Sequence, residues 1–158
     1  IGTRKNFEEL LNHEELVMVF PEGAKGPGKM IWDRYKLLKF NVGFMELSLR
    51  YKAPIIPIAI VGGEEQAPMI GNIKPLARLA GIPHFPITPF FPHLGPLSLF
   101  PLPVRYRIYY GEPFDFSKEL GEDGAQDPKK VENCVNIVKD KIHDMIQKGL
   151  RERKGIFF

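Results

Sequence analysis

Two short apolar runs with a helical pattern between them set the first limit on how this chain folds. Residues 16–20 (Leu-Val-Met-Val-Phe) carry no polar side chain, and Pro21 stops the run. Residues 55–61 (Ile-Ile-Pro-Ile-Ala-Ile-Val) form the second, entered through Ala53-Pro54 and ended by Gly62-Gly63. Runs of this length that are apolar on both faces suit buried strands. Between them, residues 35–51 place Leu37, Leu38, Val42, Met45 and Leu49 on one side of a helix, with Lys36, Lys39 and Arg50 elsewhere. Strand, helix, strand in that order predicts an α/β fold with a mostly parallel sheet and crossover helices.

The flanking segments read as follows. Residues 6–13 suit a short helix, with Phe7, Leu10 and Leu11 at helical spacing. A loop with Gly23, Gly26, Pro27 and Gly28 follows the first run, and residues 64–79 read as a loop with one or two short helices. Residues 104–110 alternate Arg105 and Arg107 against Tyr106 and Ile108, the pattern of a half-exposed edge strand. Asp127-Pro128 is a helix start, and Val131, Val135, Val138, Ile142, Met145 and Ile146 make an apolar stripe. We therefore expect an amphipathic docking helix over 127–153.

Residues 82–103 fit neither pattern. Seven prolines (83, 86, 89, 92, 96, 101 and 103) alternate with Phe85, Phe90, Phe91, Leu94, Leu97, Leu99 and Phe100. Proline at that density cannot sustain a helix or a central strand. The stretch is a loop that wraps the core, or an apolar surface that touches a membrane or lines an acyl-chain channel. In the second case Phe85, Phe90, Phe91 and Leu94 are the contact residues.

At 158 residues the chain is long enough for one domain with a real core. Its 44% hydrophobic and 26% charged content is that of a globular protein. A net charge of +3 permits anionic partners without requiring them. No Lys/Arg block interleaved with aromatics is present, so a nucleic-acid partner is not expected. Cys134 is the single cysteine, which excludes an internal disulfide. Four scattered histidines lack metal-ligand spacing, so neither a metal nor a cofactor is expected.

The loop after the first run has P-loop spacing in Gly23-Ala24-Lys25-Gly26-Pro27-Gly28-Lys29. Yet Met30 stands where magnesium coordination needs Ser or Thr, and Pro27 removes an N–H donor. The preceding residues read better. Phe20-Pro21-Glu22-Gly23 resembles the strand-end motif of the PlsC-type glycerolipid acyltransferases, which act on glycerol-phosphate, lysophospholipid or diacylglycerol-like acceptors. Three further landmarks follow the family's order: Gly2-Thr3-Arg4 with its short helix, Ala53-Pro54-Ile55-Ile56-Pro57-Ile58-Ala59-Ile60, and Leu102-Pro103-Val104 with Tyr110-Gly111-Glu112-Pro113. The resemblance runs from about residue 2 to about residue 116.

The resemblance implies a single, partial acyltransferase-like domain over 1–158. It also implies transfer of a fatty acyl group from acyl-CoA or acyl-carrier protein to a glycerolipid hydroxyl. Thr3, Arg4, Glu22, Gly23 and Lys25 would hold the acceptor, and Phe20, Pro21, Pro54, Ile56 and Pro57 would line the pocket. Membrane association at the cytoplasmic face is expected with it. Two departures stand out. The family motif usually continues Gly-Thr-Arg-Ser, whereas Gly23-Ala24-Lys25-Gly26 stands here, and Lys25 lacks a guanidinium fork. The family's base is a histidine followed five positions later by an aspartate. The residues five after His13, His84, His93 and His143 are Met18, Pro89, Ser98 and Lys148. The catalytic pair is therefore expected upstream of Ile1, and this stretch alone is expected to be inactive. A non-catalytic lipid- or CoA-binding domain is the alternative.

Overall fold

The computed structural model describes residues 3–81, 84–91, 93–95, 97, 100–120 and 122–157. The expected features at Gly2, Pro83, Pro92, Pro96 and Leu99 lie outside the described residues. The chain divides into two compact units. One comprises Ile1–Gly23, Lys39–Ile58 and Tyr110–Met145, the other Ala24–Leu38, Ala59–Tyr109 and Ile146–Phe158.

In the first unit, helix α1 (Arg4–Asn12) begins at Thr3, whose hydroxyl accepts from the Asn6 backbone N–H at 3.3 Å. This is an N-cap that satisfies one of the free donors of the first turn. Helix α2 (Gly43–Tyr51) is much shorter than the 35–51 pattern predicts. Tyr35 has φ +63, a left-handed conformation that no helix accommodates, and helix begins only after Asn41 accepts from the Gly43 N–H at 2.8 Å. Helix α5 (Phe116–Leu120) and the 3-10 turn Glu122–Gln126 pack on α2. Phe40, Met45, Leu47, Leu49, Phe116, Val131, Cys134, Val135, Val138 and Met145 are the buried apolar residues here.

Helix α6 (Pro128–Glu152) starts where Asp127 Oδ1 accepts from the backbone N–H groups of Lys129 (3.0 Å) and Lys130 (3.4 Å). It passes close over Gly111, where an added Cβ would lie 2.6 Å from Pro57 and 3.2 Å from the Met145 sulfur. Only glycine fits that crossing.

The sheets are small. Strand β1 (Ile58–Val61) pairs with β4 (Arg107–Tyr110), and the neighbouring bridge between Ile55 and Phe114 is antiparallel. Pro54 and Pro57 each remove a ladder donor, so the expected strand 55–61 is regular only past Pro57. The edge strand expected over 104–110 likewise narrows to Arg107–Tyr110. In the second unit, α3 (Gly63–Gln66) precedes β2 (Gly71–Asn72), α4 (Lys74–Ala80) and β3 (Pro86–Ile87). Strands β2 and β3 pair antiparallel. The architecture is thus mixed α/β, and no parallel pair occurs among the described strands.

The largest departure from expectation is at residues 16–20. They form neither strand nor helix, and Leu16 is 95% exposed. A strand exists only through a partner's hydrogen bonds, and no described residue bonds to these backbone N–H groups.

Candidate functional site

In the first unit the Phe20-Pro21-Glu22-Gly23 turn closes on itself, with the Gly23 N–H donating to the Phe20 carbonyl at 3.0 Å. Gly23 has φ +63, and nothing stands within 4 Å of where its Cβ would be. Glycine is needed here for backbone conformation, not for lack of room, and the open space leaves a ligand free access to the turn. The Asn41 N–H donates to the Pro21 carbonyl at 2.9 Å, which ties the turn to the segment entering α2. Pro21 and Glu22 are half-buried, whereas Phe20 is exposed.

Thr3 and Arg4 are already engaged. Besides capping α1, the Thr3 hydroxyl donates to Asn6 Oδ1 at 2.9 Å. Arg4 pairs with Glu46 Oε2 at 3.0 Å and with Glu8 Oε1 at 3.4 Å, and Arg50 lies 3.8 Å from the same Glu8 oxygen. Bonds to Glu46, and then to Glu8, hold the Arg4 guanidinium charged above its ordinary range. A phosphate reaching Arg4 would exchange with these carboxylates. Of the expected pocket residues, Pro54 and Ile56 are exposed. Pro57 is fully buried, and its carbonyl accepts from the Gly111 N–H at 2.9 Å.

In the second unit Lys25 is exposed within the 3-10 turn Gly23–Gly28. Lys29 does not act as a phosphate-binding lysine. Its ammonium lies 2.8 Å from Glu64 and donates to the Lys36 carbonyl at 3.0 Å. Gly28 lies against the His84 ring, since a Cβ there would come within 2.3 Å of Nε2. This contact and the 3.3 Å approach of Asn72 to His84 Nδ1 give the histidine a packing role. Among the expected membrane-contact residues, Phe90 and Leu94 face outward, as do Leu97 and Phe100, while Phe85 and Phe91 are half-buried. No described helix is long and apolar enough to cross a membrane. No group of His, Cys, Asp or Glu suited to hold a metal occurs among the described residues.

The densest polar cluster was not anticipated. The buried Tyr35 hydroxyl donates to Glu65 Oε2 and accepts from the Gly62 N–H at 2.7 Å. Arg153 donates to Glu65 Oε1 at 2.6 Å and lies over the Tyr35 ring at 5.7 Å. Glu64 accepts from the Tyr35 N–H at 2.6 Å, and this bond holds the left-handed backbone in place. Burial, and then the bond to Glu65, raises the Tyr35 phenol well above the usual tyrosine range. The available signal was Gly62-Gly63-Glu64-Glu65, two carboxylates directly after a strand. Tyr35 itself reads as a helix face, so its partner was not legible.

An exposed, glycine-opened turn on a mixed α/β scaffold, with no metal cluster among the described residues, defines the class of the site. Residues 1–61 match the Acyltransferase family, and that segment, which carries Thr3, Arg4 and the Phe20-Pro21-Glu22-Gly23 turn, belongs to it. The chain is also 46% identical over 150 residues to uncharacterized proteins of Mycobacterium tuberculosis and Mycobacterium bovis. These matches cover 94% of this chain and 42% of each relative. An uncharacterized protein of Mycobacterium leprae is 44% identical over 159 residues, covering 100% of this chain and 43% of its own length. The chain therefore spans about two fifths of the relatives it matches. No solved structure matches it.

Proposed function

We propose that the intact protein moves a fatty acyl group from acyl-CoA or acyl-carrier protein to a glycerolipid hydroxyl, with Glu22 and Gly23 holding the acceptor. The observation that carries this reading is the open turn at Gly23, with Glu22 half-buried beside it, inside the acyltransferase-family segment. The Glu22 carboxylate accepts a hydrogen bond from the glycerol unit and orients the reacting hydroxyl. That oxygen attacks the thioester carbonyl, its proton passes to a histidine base supplied outside residues 1–158, and the thiol leaves. Lys25 attracts an anionic headgroup as a point charge, without the fork that would fix a phosphate. With Arg4 shared between two carboxylates, a neutral acceptor such as diacylglycerol fits as well as a phosphate-bearing one. Phe90, Leu94, Leu97 and Phe100 supply apolar surface for association with the cytoplasmic face of a membrane.

One observation favours a second reading, a lipid- or CoA-binding domain without catalysis. None of the four histidines in this chain has an aspartate five positions on. The experiment is acyl transfer by the intact protein, assayed with lysophosphatidate and diacylglycerol, for wild type and Glu22→Ala. Turnover that falls on the order of 10²-fold in the variant supports the role of Glu22. An unchanged rate refutes that role, and acceptor binding without any turnover in wild type moves the assignment to the second reading.

A further inference from the structure

Residues 16–20 combine three properties that do not belong on a free surface. The run is wholly apolar, and Leu16, Met18 and Phe20 are 95%, 67% and 70% exposed. Val17 and Val19 are less so, at half-buried and 39%. Exposure thus alternates residue by residue, the two-residue period of a strand with one face turned out. In addition, none of the five backbone N–H groups donates a hydrogen bond among the described residues. An apolar face beside an unpaired backbone edge is a template for strand addition.

We propose that residues 16–20 receive an extended apolar strand of the same polypeptide, from a part of the intact protein outside these 158 residues. That strand pairs along the backbone and covers Leu16, Met18 and Phe20. Two observations select this occupant. Glu14 and Glu15 precede the run and Glu22 follows it, so carboxylates stand at both ends and disfavour an anionic lipid surface. The mycobacterial relatives continue well beyond the matched stretch, which covers only 42–43% of their length, so chain is available to supply the strand. Pairing would also brace the Phe20-Pro21-Glu22-Gly23 turn, because Phe20 is both the last residue of the run and the first of the turn. The inference does not depend on acyl transfer, and its test reads no activity.

The test is hydrogen–deuterium exchange of the intact protein without vesicles. The amides of residues 16–20 are expected to exchange about 100-fold or more slowly than in an unstructured peptide. Exchange at the unstructured rate overturns the proposal. So does protection that grows with protein concentration, which marks a second copy, or that requires vesicles, which marks a membrane. A benzophenone side chain introduced at position 20 then assigns the partner. An adduct within one polypeptide supports the inference, while an adduct between two copies or none at all overturns it.

Discussion

Two clusters of charge in this molecule use the same residue types to different ends. On the first unit, Arg4, Glu8, Glu46 and Arg50 form a chain of ion pairs at 3.0 to 3.8 Å, with side chains 29% to 65% exposed. On the second, Glu65 is 6% exposed and Arg153 19%, their pair is 2.6 Å long, and a tyrosine hydroxyl fills the other carboxylate oxygen. The exposed chain is screened by water and can exchange partners at little cost. The buried one cannot, because a member left alone keeps the desolvation penalty and loses the attraction that offsets it. Availability for a ligand and contribution to stability are therefore divided between the two clusters.

The sharpest way to break the comparison is Glu65→Ala. It strands the Arg153 guanidinium and the Tyr35 hydroxyl together, and urea unfolding should show a loss of about 3–5 kcal/mol. A loss below about 1 kcal/mol would mean that water reaches the cluster and that it is no more buried in effect than the surface chain.

Tyr35→Phe comes next, with an expected loss of roughly 1–3 kcal/mol at neutral pH. It also carries a pH signature. The folded phenol titrates above its unfolded value of about 10, so folding favours the protonated form. That contribution is fully present below pH ~10 and is lost as pH rises toward the folded value, because the unfolded state releases the proton first. Wild-type stability should begin to fall above pH ~10 through this residue, and the Tyr35→Phe protein should lack that component. Parallel pH profiles for the two proteins would remove Tyr35 from the buried network.

Arg4→Ala should have the smallest effect of the three. A shift in the urea midpoint too small to resolve is the expected outcome, since its partners remain solvated. In the same protein, a raised Michaelis constant for a phosphate-bearing acceptor alone would show that Arg4 exchanges its carboxylates for the ligand. A clear loss of stability would instead place Arg4 with the structural cluster.

The comparison also shows where sequence reasoning reaches its limit. Thr3 and α1, and Asp127 with the stripe of α6, were legible because caps and helical periods are satisfied within a few residues. The Phe20-Pro21-Glu22-Gly23 turn was legible for the same reason, since its hydrogen bond and its positive φ lie inside the motif. The helix expected over 35–51 failed at Tyr35, whose conformation is held by Glu64, 29 positions away. Arg4 was correctly singled out as a cation, but the carboxylate of Glu46, on another helix, determines how free it is.

By itself, then, the sequence determined the local pieces: the acyltransferase-type turn, the capped helices, and the proline-rich stretch that could be neither helix nor central strand. Tertiary structure alone decided which charges are spent and which remain available, and whether an apolar run becomes a strand. Residues 16–20 make the reason plain. A helix closes its hydrogen bonds within its own segment, whereas a strand owes every one of its bonds to a distant partner.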